Sequence, residues 1–445
     1  MIVDRWLSID IDELTPRQWE ALEKALTYEN DNGDLVISYR KLVTKGKYLL
    51  PRGAWYLLPD SIRYTDNRSK PVKPKLKFKG KLDNIEKDPR FAGQTDALRV
   101  MMEQEQGLII RPPGTGKTEI ACAFAAWAKT KTLILVHTED ILQQWVERIT
   151  KLIPEADVGV IRGKEYRIGQ ITVATVQTLY RSYLDEGKKW WAQWGCLIAD
   201  EGHHVAAQTW EAVINACPAY YRFAFTASAT RADGMHPSMK FIIGPVIHRQ
   251  KFTSPVALEV RPVKTDFKAA YRGPFDWGNL LNKLVRDEDR NNLIAEVVDG
   301  EIAMGHTVLV LSRRIAHLEA IAELMLEDSE ILTGKRSKSD RSDILDRFRN
   351  GEIRCLLATQ LADEALDVPR LNRICLTHPG KHEGRIIQQI GRALRIHPTK
   401  KDAVIFDFID VKVGVLRRQW NQRKRTYQKL GIKVKSTGKL ILGRK

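Results

Sequence analysis

The residues most able to do chemistry lie in the run Arg111-Pro112-Pro113-Gly114-Thr115-Gly116-Lys117-Thr118, between the apolar stretch LII and the helix-forming EIACAFAAWAK. A glycine-rich turn between a strand and a helix lets backbone N–H groups approach phosphate oxygens, and the helix N-terminus adds its positive dipole end. Gly114, Thr115 and Gly116 supply that cradle. Lys117 can reach the β- and γ-phosphates, and the Thr118 hydroxyl can ligate Mg²⁺. A second run, Cys196-Leu197-Ile198-Ala199-Asp200-Glu201-Gly202-His203, is an apolar strand ending in two acids. Asp200 can hold the metal, Glu201 can orient and deprotonate an attacking water, and His203 can sense the γ-phosphate. Together the two runs point to nucleoside triphosphate hydrolysis.

Further along, Arg392 and Arg395 stand three apart in QQIGRALR, on one face of a helix. Guanidinium groups so placed can stabilise charge on a transferring phosphoryl group. Thr226 and Ser228 follow the strand FAF, where their hydroxyls can bond the acid motif and relay the nucleotide state. Gln94, upstream of the phosphate loop, carries an amide able to read an adenine edge. Thr138, Gln144, Thr175, Gln177 and Thr359 fall in loops after strands, which in open α/β sheets face the ligand crevice, and they suit phosphate contacts. His203 and His204 do not complete a zinc set, since adjacent side chains on an extended chain diverge and no further Cys or His joins them. Trp190, Trp191 and Trp194 can stack on bases, although such a cluster is more often core or interface packing.

The elements that must position these residues are legible as apolar runs of four to six alternating with helical patterns from about residue 90. This is the signature of parallel strands covered on both faces. The pattern recurs: TVLVLSRRIAHLE (307–319) echoes TLILVHTEDILQQW (132–145), and CLLATQLADEALDVP (355–369) echoes TVATVQTL (172–179). Two similar α/β lobes follow. The expected organisation is a small α/β N-terminal domain over 1–85, a first lobe over 86–248 and a connection over 249–290. A second lobe over 291–410 and a basic helical tail over 411–445 complete it. In the N-terminal part, Thr15-Pro16 opens a helix.

The 445 residues carry 72 Lys+Arg against 55 Asp+Glu, a net charge of +17, enough chain for several cores and a bias towards polyanions. Twelve of the cations lie after residue 411 with no acid among them, and Lys70, Lys73, Lys75, Lys77, Lys79 and Lys81 form a second block. No apolar run reaches the ~20 residues of a membrane span, and Asp4 and Arg5 interrupt any signal-peptide core. The five cysteines are scattered singly, which fits a reducing cytoplasm rather than a disulfide framework.

Taken in order, these motifs resemble those of superfamily 2 helicases and translocases over residues 90–400. The matching strings are Gln94, GTGKT, LILVHTEDILQQW, ATVQTL, DEGH, FTASATRADG, LVLSRRIAHLE, LLATQLADEALDVP and QQIGRALR, the last bringing Gln388 into the active-site set. The resemblance implies two tandem RecA-like parallel-sheet lobes with ATP and Mg²⁺ between them and nucleic acid crossing both. FTASATRADG resembles the corresponding string of DNA-acting members related to XPB and phage UvsW, and the compact size and small N-terminal domain are similar to phage branch-migration helicases. Three positions depart from the family pattern. Arg111 replaces a small residue, Ala365 stands where Gly is common, and His203 follows Gly202 where DEAD-box RNA helicases have Ala-Asp. The expected protein is an ATP-dependent DNA helicase or translocase that remodels branched DNA in replication and recombination. It would act in the cytoplasm, the host's if phage-encoded, on DNA and without an obligate protein partner. An RNA helicase and a duplex-DNA motor subunit of a restriction or repair complex are the alternatives.

Overall fold

The computed structural model describes all residues except 32, 73–74, 87, 228–234, 360–367, 381–390, 392–396, 398–399 and 437–445. The chain folds as two compact units, Met1–Lys251 and Phe252–Lys445.

The first unit opens with β1 (Ile2–Val3), β2 (Trp6–Asp10), β5 (Arg40–Leu42), β6 (Lys47–Pro51) and β7 (Thr65–Asp66), in sheet order β5-β6-β2-β1-β7. A two-stranded ribbon, β3 (Thr27–Glu29) with β4 (Leu35–Ile37), accompanies it. Leu7 and Ile9 of β2 and Tyr48 and Leu50 of β6 alternate inward, as a half-covered antiparallel pair requires. Helix α1 (Pro16–Ala25) covers that face, started by a capping box of Thr15 and Gln18, with Trp19 stacked on Tyr48 at 3.9 Å.

This small sheet has its own apolar core but shares a compact unit with the larger sheet behind it. Buried Arg52 donates through Nε to Gln106 Oε1 (2.9 Å) and through Nη1 to the Ala219 carbonyl (2.5 Å). At Gly53 a Cβ would lie 2.5 Å from the backbone nitrogen of Gly244, so the two layers touch backbone to backbone. The lysine-rich strip after residue 70 follows the same logic. Leu76 and Phe78 pack into the core of the larger sheet, leaving the alternate Lys75, Lys77 and Lys79 more open to solvent.

That larger sheet comprises β8 (Gln106–Ile110), β9 (Thr132–Val136), β10 (Val158–Arg162), β11 (Glu165–Arg167), β12 (Ile171–Thr175), β13 (Cys196–Ala199), β14 (Tyr221–Thr226) and β15 (Val246–Arg249), in order β11-β10-β12-β9-β13-β14-β8-β15. All its pairings are parallel except β10 with β11. Strands β8, β9, β12, β13 and β14 are buried along their whole length, which is why they read as unbroken apolar runs. Helices α2 (Gln94–Glu103), α3 (Lys117–Trp127), α4 (Glu139–Leu152) and α5 (Val176–Ser182) precede or follow these strands.

The second unit is a parallel sheet of β16 (Ala257–Lys264), β17 (Val308–Ser312), β18 (Ser329–Leu332), β19 (Cys355–Thr359), β20 (Arg373–Leu376), β21 (Asp402–Ile409) and β22 (Lys433–Val434), in order β18-β19-β17-β20-β21-β16-β22. The repeat seen in the sequence is a repeat of strand pairs. Ala174 lies opposite Leu135 in β12/β9, and Ala358 lies opposite Leu311 in β19/β17.

Two expected segments fold differently from the sequence reading. The stretch 249–290 is not only a connection, because β16 pairs with β21 along all 8 of its residues. Its Glu259, Arg261, Pro262 and Lys264 hide it from a search for apolar runs. In 411–436 the expected basic helix forms with Trp420 and Tyr427 as packing residues, but the segment is part of the core rather than an appended tail. The helix Gly414–Lys429 buries Leu416, Trp420, Arg423, Thr426 and Tyr427, and β22 extends the sheet beside β16. Buried Asp407 of β21 accepts two bonds from Arg423 (2.9 and 2.7 Å) and one from the Tyr427 hydroxyl (2.8 Å). A buried carboxylate needs such partners, so this helix belongs to the core. Among the described residues no helix is long and apolar enough to cross a membrane.

Candidate nucleotide and nucleic-acid site

Five neighbouring strands of the first unit, in the order β12-β9-β13-β14-β8, end at one edge of the sheet. Across that edge they deliver Thr175, Thr138, Asp200, Thr226 and the phosphate loop in turn.

The loop leaves β8 at Ile110 and enters α3 at Lys117. Gly114 (φ 73°) and Gly116 (φ 74°) are left-handed, a conformation that favours glycine. Space imposes the same choice. A Cβ at Gly116 would lie 1.9 Å from Gln94 Nε2, and one at Gly114 would lie 2.9 Å from Arg90 Nη1. Lys117 and Thr118 open the helix, only partly buried, while Thr115 turns its hydroxyl inward to the Pro112 carbonyl (2.7 Å). Thr115 therefore serves through its backbone.

Arg111 turns out to brace the loop. Its buried guanidinium donates to the carbonyls of Gly93 (2.9 Å), Ala92 (3.1 Å) and Thr115 (3.2 Å), and Nη1 lies 3.2 Å from His248 Nε2. Burial pulls its pKa down to about 10, so it stays charged at neutral pH. Gln94 works beside it: Nε2 donates to the carbonyls of Thr115 and Gly116 (both 3.3 Å), and Oε1 accepts from the Asp83 backbone (2.9 Å). Buried in this way, Gln94 shapes the loop rather than presenting a free amide to a base.

At the end of β13, Asp200 Oδ1 accepts from the Glu201 N–H (2.9 Å) and Oδ2 from the Trp145 indole (2.7 Å). Glu201 is left-handed at φ 52°, a conformation that costs a non-glycine residue about 1–3 kcal/mol. His203 Nδ1 lies 3.2 Å from Glu201 Oε2. Burial pushes the Glu201 carboxyl up, but the Lys117 charge and the His203 bond outweigh it and hold the group below the usual carboxylate range. Asp200 moves the other way, raised by burial and by the charge of Glu201. The two acids thus differ in chemistry: Glu201 is kept anionic, and Asp200 is an acid whose charge needs a cation beside it.

The residues present fit a magnesium nucleotide. The glycine cradle excludes any Cβ, and a hydroxyl and a carboxylate are the hard oxygen donors Mg²⁺ prefers. Gly202, on the acid motif, packs on the neighbouring strand, where its Cβ would stand 3.1 Å from Ala224 and 3.5 Å from Thr226 Cβ. Thr226 is fully buried and its carbonyl accepts the Arg111 N–H (2.9 Å), linking the FTASATRADG run to the phosphate loop.

The nucleic-acid candidates divide into caps and exposed amides. Thr138 caps α4, accepting from Ile141 N at 3.3 Å, and the Thr175 hydroxyl donates to Thr178 Oγ1 at 2.8 Å. Gln144 and Gln177 are exposed. Thr359 ends β19 in the second unit, opposite Ser312. Ser228, Ala365, Gln388, Arg392 and Arg395 lie outside the described residues. Sequence reasoning passed over Trp145, Arg90 and Asp83 as contributors to this site. The signal that could have found Trp145 is an indole N–H on the apolar face of a helix, which usually takes a partner when buried.

Two family models match the chain: Type III restriction enzyme, res subunit, over residues 75–231, and Helicase conserved C-terminal domain over residues 289–397. The chain belongs to the superfamily 2 helicases. As such it is an ATP-dependent enzyme built on two RecA-like domains. A DNA 3'-5' translocase XPB2 of Sulfurisphaera tokodaii is 25% identical over 364 residues, 71% of this chain and 80% of that one. A probable helicase D10 of Escherichia phage T5 is 26% identical over 354 residues, covering 78% of this chain and 77% of its own. Among solved structures, S. cerevisiae Dbp5 bound to RNA and ADP BeF3 shares the helicase fold with a TM-score of 0.56 at 15% identity, over 78% of this chain and 90% of its own.

Proposed function

We propose that this helicase couples ATP hydrolysis to movement along DNA and uses that movement to remodel branched DNA during replication and recombination. The observation that carries this reading is the shared edge, where β8, β14 and β13 bring the nucleotide residues and β9 and β12 bring Thr138 and Thr175 directly beside them. The similarity to a DNA translocase and the +17 charge support DNA as the track.

In this mechanism the loop N–H groups and Lys117 bind the β- and γ-phosphates. Glu201, kept anionic by Lys117 and His203, takes the proton of the attacking water. Thr118 and Asp200 would hold Mg²⁺, which neutralises charge on the phosphates when bound. By their motif alone, Arg392 and Arg395 are assigned to stabilising the transferred phosphoryl group, Gln388 to positioning, and Ser228 with Thr226 to relaying nucleotide state. Gln144, Gln177 and Thr359 join Thr138 and Thr175 as backbone contacts to DNA. The setting is a cytoplasm, that of a host cell if the chain is phage-encoded.

The test is the ATPase rate with no nucleic acid, single-stranded DNA, linear duplex, a four-way junction and RNA at equal nucleotide concentration. Strongest stimulation by the junction is expected. Equal stimulation by linear duplex would replace remodelling with simple translocation or a duplex motor subunit, and stimulation by RNA alone would replace DNA with RNA.

A further inference from the structure

We infer that Trp145 is a positioning residue that ties the nucleic-acid-facing start of α4 to the metal-holding Asp200. This rests on the functional reading above and names a coupling element within it.

The border between the two halves of the shared edge falls between β9 and β13, and it is crossed by the His137–His204 ring pair (4.8 Å) and by the side chain of Trp145. Trp145 rises from α4, the helix after β9, and donates its indole N–H to Asp200 Oδ2 of the loop after β13 at 2.7 Å. The other carboxylate oxygen is held by the Glu201 N–H at 2.9 Å. Two donors on different elements thus orient one carboxylate, one local to it and one belonging to the helix that begins at Thr138.

The indole is not there for bulk alone. Its N–H is aimed at the acid of the hydrolytic site from a side chain that is itself buried. A shift of α4 would also reach Trp145 intact. Leu142, Trp145, Ile149 and Leu152 form one buried stripe, at spacings of three, four and three, so the indole is fixed to the helix by its packed face. Gln144, one residue away and about 100° round the helix, is exposed. One short helix therefore presents an amide outward to a strand of nucleic acid and an indole inward to Asp200.

If this bond couples the two sites, each ligand must alter the other's affinity by the same factor. The test uses the full chain and Trp145→Phe, which keeps an aromatic ring and removes the donor. Fluorescein-labelled duplex DNA is titrated by anisotropy with and without Mg²⁺ and a non-hydrolysable ATP analogue, at fixed salt. The expected wild-type coupling lies in the roughly 5–150-fold range usual for linked sites, falling to within about twofold of unity in the variant while each ligand alone still binds. A purely structural tryptophan would lower the melting temperature and leave the coupling factor unchanged, and that result overturns the inference while leaving the functional reading intact. Failure of wild type to bind DNA overturns both. Should Trp145→Phe not fold, backbone hydrogen exchange of residues 139–152 in wild type decides. Exchange there is expected to slow on adding Mg²⁺ and the analogue without DNA, relative to residues 16–25, and an unchanged rate refutes the coupling.

Discussion

The two sheets repeat one strand pattern but treat the polar groups at their strand ends in opposite ways. In the first unit, Asp200 and Glu201 stand at the edge beside the charge of Lys117, and one of them sits in a left-handed backbone. In the second, Asp410, just past β21, is sealed: Arg290 donates to it at 2.8 Å and Thr265 at 2.6 Å, all three buried. The same arginine donates to the Thr377 carbonyl (2.6 Å), and His317 bonds Ser312 (2.9 Å) and Asn291 (3.1 Å). Burial and the Arg290 charge push the His317 pKa well below its ordinary value, so the ring is neutral. Duplicated architecture therefore does not mean duplicated chemistry. Among the described residues, one edge sets two carboxylates beside the Lys117 charge, and the other uses a carboxylate to hold strand ends together.

The sharpest break of this contrast is Glu201→Gln. ATP turnover is expected to fall by about 10²–10⁴, the worth of a general base, with DNA binding and melting temperature nearly unchanged. Steady-state ATPase assays and DNA anisotropy check both halves, and preserved turnover would remove Glu201 from the mechanism. The mirror experiment is Arg290→Met, which strands a buried carboxylate. It should destabilise the second unit by about 3–5 kcal/mol, seen as a lowered denaturation midpoint, before any kinetic effect can be measured.

Arg111→Met tests the brace beneath the phosphate loop. Removing its bonds to three carbonyls is expected to cost about 1–3 kcal/mol and to raise KM for ATP more than it lowers kcat. A change in kcat alone would instead place Arg111 in the chemical step. The smallest effect on stability is expected from replacing Arg417, Arg418, Lys424 and Arg425 with Gln. All four lie on the helix whose opposite face holds Arg423 and Tyr427 in the core. For every DNA phosphate these cations neutralise, the substitution should reduce the log–log salt slope of binding by about 0.9. An unchanged slope would make this face a solvated surface. Deleting 411–445 would not answer the same question, because it removes the partners of Asp407.

How much of this was legible beforehand depended on whether a residue's role was local. The phosphate loop, the strand-end acids and the helix opened at Thr15 announce themselves because strand, glycine and helix must be adjacent in the chain for a cradle or a cap to form. The strands β8, β9, β12, β13 and β14 were equally plain, since burial on both faces demands an unbroken apolar run. Strand β16 was missed for the complementary reason: next to the edge strand β22, it tolerates Glu259, Arg261 and Lys264. The C-terminal helix looked like a tail because its cations were counted together, although Arg423 faces inward and neutralises Asp407.

By itself the sequence determined the family, the nucleotide machinery and the duplicated parallel sheets, because hydrophobic period and motif spacing are properties of neighbours along a chain. Only the tertiary structure decided what Arg111, Gln94 and Trp145 do. Their partners lie in other elements: Ala92 and Gly93 for Arg111, Thr115 and Gly116 for Gln94, and Asp200 for Trp145, 55 residues away. Side chains of the same type carry no mark of such partners. A buried donor must find an acceptor, but which acceptor is set by the order in which strands enter the sheet.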